Sequence, residues 1–97
     1  ITLSEPDANA IVIATAYDPV TKAMHTVKAQ NANGDNQTFT YTVNVKAGVA
    51  YKVLAQDMSR NFGMKFYASD QLDTSGTFAQ STSVQNDSSN INIKLSK

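Results

Sequence analysis

The chain has 97 residues, 41% of them hydrophobic and only 16% charged, which is material for one modest core and not for two. Eight basic residues balance eight acidic ones with no run of like charge, which excludes the phosphate-neutralising patch that nucleic-acid binding requires. Cysteine is absent, which removes disulfide scaffolds, thiol chemistry and Cys-type zinc sites.

The polarity missing from the charges is carried by Asn, Gln, Ser and Thr, a balance that suits β-strands with Thr- and Asn-rich outer faces. "ITLS" at the start is placed as an edge strand. Its first residue is Ile1, so a leader is expected to have been removed, or the domain to have been cut from a longer chain. "AIVIATAYD" (Ala10 to Asp18) carries three consecutive apolar β-branched residues, Ile11, Val12 and Ile13. Such a run predicts a central strand covered on both faces. Its apolar stretch is far shorter than the roughly 20 residues a bilayer span needs, so no direct membrane insertion is expected. Asp18-Pro19 then closes the strand, because proline fixes φ and donates no hydrogen bond.

"KAMHTVKAQ" (Lys22 to Gln30) is a weaker strand with ambiguous facing, and Asn33-Gly34 after it is a short-range turn signal. In "FTYTVNV", Phe39, Tyr41, Val43 and Val45 share one face, and Thr40, Thr42 and Asn44 the other. "AYKVLAQ" repeats the alternation with Tyr51, Val53 and Ala55. With Gly48 between them, the two runs predict a hairpin, with positive φ expected at the glycine. "GMKFYAS" (Gly63 to Ser69) and "NINIKLS" (Asn90 to Ser96) complete the set. Between them, Asp70 to Asn90 reads as a long polar loop with one short strand near Ala79 to Val84. No window holds a helical apolar stripe over three turns. Residues 1–97 thus read as a single all-β domain, an antiparallel Greek-key-type β-sandwich of about seven strands.

Several of these stretches resemble the carboxypeptidase regulatory-like domain, a transthyretin-like (prealbumin-like) β-sandwich module. "AIVIATAYDPVTKAMHTVKAQNANG" is similar to that family's opening strand, small polar turn and return strand. "FTYTVNVKAGVAYKVLAQD" resembles its aromatic alternation, Ala-Gly turn and Tyr-x-Val-x-Ala strand. "KFYASDQLDTSGTFAQSTSVQNDSSNINIKLS" is similar to its aromatic strand, polar loop and two closing strands. One departure is that Gly34 lies five residues before Phe39, where the family's glycine immediately precedes the aromatic strand. The resemblance implies a non-catalytic module of secreted or cell-surface proteins, serving as spacer, stalk, adhesive unit or attachment to an enzyme. It carries no catalytic motif to transfer.

The chemistry-bearing residues agree with a non-enzymatic reading. His25 is the only histidine and has no nucleophile or metal partner near it in sequence. Glu5 is the only glutamate, so paired carboxylates would have to come from Asp18, Asp57, Asp70 and Asp73. Asp18 before proline and Asp57 at a strand end stand where aspartate commonly bonds its own backbone. "DQLDTSG" offers Asp70 and Asp73 as calcium ligands but lacks the EF-hand spacing, so it reads as a solvated loop with calcium as the alternative. No other metal and no cofactor is expected. Sequons at Asn36 and Asn86 are the matches expected by chance in a chain rich in Asn, Ser and Thr.

The leading expectation is a structural or interaction module, secreted or at a bacterial cell surface. One form of it is a subunit of a filament or pilus assembling with other protein subunits or neighbouring domains. Strand edges and apolar rim residues would make the contacts, with Ile1 and Leu3 at the chain start and Phe62, Phe66 and Tyr67 as partner-facing candidates. The alternative is glycan binding, with the same three aromatics as a stacking platform. Phe66 and Tyr67 are adjacent and must point to opposite faces of a strand, so at most one of them joins the core.

Overall fold

The computed structural model describes residues 1–46, 49–59, 61–67, 83–84 and 93–95. These residues are all-β, with no helix among them. In chain order the strands are β1 (Thr2–Leu3), β2 (Val12–Tyr17), β3 (Met24–Lys28), β4 (Tyr51–Asp57), β5 (Lys65–Phe66), β6 (Ser83–Val84) and β7 (Lys94–Leu95).

The main sheet is a four-strand antiparallel path, β3-β2-β4-β5, with β6 pairing against β4 at Tyr51 and Lys52. β2 lies between β3 and β4, the central position that its apolar run predicts. Val12, Ala14 and Ala16 bury one face of it, and Thr15 is buried on the other. The Thr15 hydroxyl shares a hydrogen bond of 3.0 Å with the hydroxyl of Thr26 opposite, so burying it leaves no polar atom unsatisfied.

β1 and β7 form a separate two-strand pair that runs parallel, unlike the antiparallel arrangement expected throughout. They lie near opposite ends of the sequence, and a parallel pair needs such a long connection because no tight turn can join its strands. Thr2 N–H donates to Ile93 O and Ser4 N–H to Leu95 O, both at 2.8 Å. Ile1, Leu3, Ile93 and Leu95 from this pair join Val12, Ala14, Val53 and Ala55 of the main sheet in one core, with Ala29, Phe39 and Phe62. Ala14 stands directly opposite Ala55 in the β2–β4 register. Two alanines side by side leave room above the sheet for the larger side chains of the cluster to fill.

The predicted hairpin of Phe39–Val45 with Tyr51–Ala55 is not a ladder. Both edges of β4 are taken, one by β2 and the other by β5 and β6. Phe39 instead exchanges hydrogen bonds with Ile1 (2.7 and 2.8 Å), and Thr40 exchanges them with Gln30 (2.7 and 2.8 Å). The facing survives nonetheless: Phe39 is buried and Tyr41, Val43 and Val45 are half-buried, while Thr40, Thr42 and Asn44 are exposed. Gly34 has φ +69 in the Asn33-Gly34 turn, as its sequence signal predicts. Gly48, residues 79–82 of the expected late strand, and Asp70 and Asp73 lie outside the described residues.

Candidate functional site

The side chains with the most reactive potential are engaged in holding loops. Asp57 ends β4 with its carboxylate buried, and it accepts from Ile11 N–H (3.1 Å), Ser59 N–H (3.0 Å) and Phe62 N–H (3.2 Å). The Ser59 hydroxyl adds contacts of 2.8 and 2.7 Å to its two oxygens. Burial pushes this carboxyl up, but the hydrogen bonds from Ser59, Ile11 and Phe62 together hold it below the ordinary value. Asp18 likewise accepts from the Thr21 hydroxyl (2.7 Å) and from the Val20 N–H (2.9 Å), and the Thr21 bond leads the causes that lower it. Asp35 accepts from Thr38 N–H (2.8 Å) and Gln37 N–H (2.9 Å), and those backbone bonds keep it low too. These are turn clamps, the role expected for Asp18 and Asp57 from their places beside a proline and at a strand end.

His25 lies on β3, half-buried, with its ring edge-on to Tyr51 at 5.8 Å and 76°. Asp18 feels its charge only as the smallest of its influences, and both Asp18 oxygens are already occupied by other donors. Among the described residues no group of three or more His, Asp or Glu is placed to hold a metal ion.

The residues singled out for partner contact fall in different places. Ile1 and Leu3 are 4% and 0% exposed and pack inside this chain's own core. Phe62 is 4% exposed in the same cluster, which leaves no ring face open for stacking. Phe66 pairs opposite Leu54, away from the core, whereas Tyr67 packs against the core. The two therefore diverge as adjacent strand residues must. A depression of about 240 Å³ opens elsewhere, rimmed by Asp7, Lys28, Asn31 and Asn36 above Val12 and Phe39. Asn36 adopts φ 58, and its side chain accepts from Asn31 Nδ2 at 2.7 Å.

What composition and pattern do not mark is the outer edge of β3. β3 ends the main sheet, and among the described residues no strand pairs with its far side. Met24 on it is 68% exposed, and Val20 in the preceding turn is 87% exposed. The sequence marks Lys22 to Gln30 only as a weaker strand with ambiguous facing, and a strand signal does not say whether the strand has one neighbour or two.

The chain was compared with protein-family models, with curated proteins and with solved structures. None of them matches. No carboxypeptidase regulatory-like domain is identified by any of the three comparisons. Among the described residues no helix is long and apolar enough to cross a membrane, which says nothing of spanning by strands.

Proposed function

We propose that this chain is a non-catalytic structural or interaction module, folded as a β-sandwich of about seven strands of the carboxypeptidase regulatory-like, transthyretin-like kind. The β1–β7 pair would form the core of the second sheet, packed over the four-strand sheet through Leu3, Ile93 and Leu95. Its place is outside the cell or at a bacterial cell surface, where it works as a filament or pilus subunit, an adhesive unit or a spacer, and its partners are other protein chains.

One observation carries this reading. Asp18, Asp35 and Asp57 brace loops, while among the described residues a five-residue strand edge stands open beside exposed apolar side chains. An open edge is the feature that proteins use for strand addition by a neighbour. The test is sedimentation at high concentration together with binding to the proteins that neighbour it in its native setting. Association in either assay is expected, and a monomer that binds none of its neighbours overturns the proposal.

Glycan binding is the second reading, and the depression between Asp7, Lys28 and Asn31 favours it, because its polar rim groups suit the hydroxyls of a sugar. Affinity electrophoresis against common polysaccharides and a glycan array decide it, and silence in both ends it.

A further inference from the structure

The phase of the β2–β3 ladder determines which backbone groups of β3 look outward. Ala29 N–H donates to Val12 O and Asp18 N–H to Ala23 O, each at 2.9 Å. The register between them is Ala14↔Val27 and Ala16↔His25, and antiparallel ladders alternate bonded and non-bonded pairs. His25 and Val27 therefore turn their N–H and C=O groups toward β2. Met24, Thr26 and Lys28 turn theirs away from it.

Both ends of this outward row are closed. Gln30 exchanges both of its bonds with Thr40 (2.7 and 2.8 Å), and Lys22 N–H turns back to Asp18 O at 2.8 Å. Among the described residues the free edge is thus Met24 to Lys28, without proline or bulge, and Lys28 is the only charged residue in the strand. Natural edges are commonly blunted by such devices, and this one is defended by a single terminal lysine.

We propose that the β3 edge pairs antiparallel with the β3 edge of a second copy of this chain, about a two-fold axis through Thr26. This deepens, and rests on, the interaction-module reading above. A second copy fits this edge because the strand is complementary to itself. Antiparallel pairing centred on Thr26 sets Thr26 opposite its own counterpart, Met24 opposite Lys28 of the second copy, and His25 opposite Val27 of the second copy. Every outward N–H then meets an outward C=O and all three outward residues are paired, whereas centring on His25 or Val27 pairs only two of them, because the third then falls opposite Lys22 or Gln30, whose groups are already bonded. No like charges stand opposite, and the aliphatic stem of Lys28 covers the exposed Met24 side chain across the seam. The central Thr26 pair is itself favourable between strands. The result is one continuous sheet running through both copies, closed by symmetry so that it does not propagate through this edge.

The chain has no cysteine, so single cysteines report the register directly. Opposed residues of a bonded pair have Cα atoms about 5.5 Å apart, inside the range a disulfide or a short bismaleimide bridges. Oxidised Thr26→Cys is expected to run mostly as a covalent dimer, at least roughly tenfold above the yield of Thr42→Cys on an exposed site outside the edge. A mixture of Met24→Cys and Lys28→Cys chains cross-links, while neither does so alone, because like positions then lie about 13 Å apart. In sedimentation the native chain is a reversible dimer, and Thr26→Lys, which puts two lysines face to face, weakens it by roughly tenfold or more.

Dimer yield from Thr26→Cys no higher than from Thr42→Cys overturns the proposal. So does a native chain that stays monomeric up to about 1 mM, the limit of weak association. Should Thr26→Cys fail to fold, the mixed Met24→Cys and Lys28→Cys experiment decides alone, since both side chains are exposed. A monomer that still binds native neighbours overturns self-pairing and leaves the interaction reading standing. A self-paired dimer that binds no neighbour supports this proposal by itself.

Discussion

Replacing Asp57 by alanine tests whether a single carboxylate holds the loop after β4 to the start of β2. The substitution strands three backbone donors, Ile11, Ser59 and Phe62 N–H, and the Ser59 hydroxyl. A hydrogen bond to a charged group contributes about 1.5–3 kcal/mol when its loss leaves a buried partner unmet. Phe62 N–H is buried and keeps that full penalty, whereas Ile11 and Ser59 lie near enough to solvent for water to replace part of theirs. The sum is about 3–5 kcal/mol, a large share of the ~5–15 kcal/mol that holds a domain together. Asp57→Asn keeps one acceptor oxygen but turns an N–H₂ toward the remaining donors, and should cost about 2 kcal/mol.

Urea unfolding followed by fluorescence or circular dichroism measures both values, and amide exchange should show lost protection at Ile11, Ser59 and Phe62 first. The pH dependence adds a sign. The folded carboxyl lies below its ordinary value of 3.8, so its stabilisation is complete above that value. It is lost as pH falls through the lowered native value, and the gap between native chain and Asp57→Asn narrows toward acid. A cost below about 1 kcal/mol for Asp57→Ala, with unchanged exchange at Phe62, would refute the reasoning.

The remaining predictions concern the core, one turn and one phenol. Leu3→Ala removes a fully buried side chain from the cluster and should cost about 2–5 kcal/mol in urea unfolding; a change under about 1 kcal/mol would mean that β1 does not plug the core. Lys22 holds φ 67 at the end of the β2–β3 turn, where glycine pays no steric penalty, so Lys22→Gly should stabilise by up to about 1 kcal/mol, and a lower melting temperature contradicts this. Burial, and secondarily the neighbouring Tyr67, raises the Tyr41 phenol to about 12. The unfolded chain ionises first near 10.0, so stability falls as pH rises from there toward 12, and Tyr41→Phe should flatten that loss and remove a late step from the ultraviolet titration.

How much of this was legible in sequence depended on the kind of question. The uninterrupted Ile11-Val12-Ile13 run marked a central strand, and β2 does lie between β3 and β4, but the cover on both faces that it also predicts is incomplete, since Ile11 is exposed and Ile13 only half-buried. The Tyr51–Asp57 alternation appears directly in the burial of β4. The turn aspartates were legible because their chemistry is local: Asp18 bonds residues two and three positions on. Partners across the fold were not. The alternation of Phe39, Tyr41, Val43 and Val45 encodes which way each side chain faces, and it cannot encode whether β4 still has a free edge. The burial of Phe62 was hidden for a related reason, since its position depends on the Asp57 clamp that pulls its N–H inward.

The parallel pairing of β1 with β7 has a mechanical consequence. A pull on Ile1 and an opposite pull beyond Leu95 would drag the two strands past each other along their common axis. The bonds from Thr2 to Ile93 and from Ser4 to Leu95 lie across that axis and take the load together, in shear. An antiparallel pair in the same place would be loaded at one end and open bond by bond, like a zip. Resistance to such a pull is set by the rate of unfolding rather than by its equilibrium. With Ile1, Leu3, Ile93 and Leu95 seated in the core behind the sheared bonds, tension would reach the centre of the fold before either strand could part.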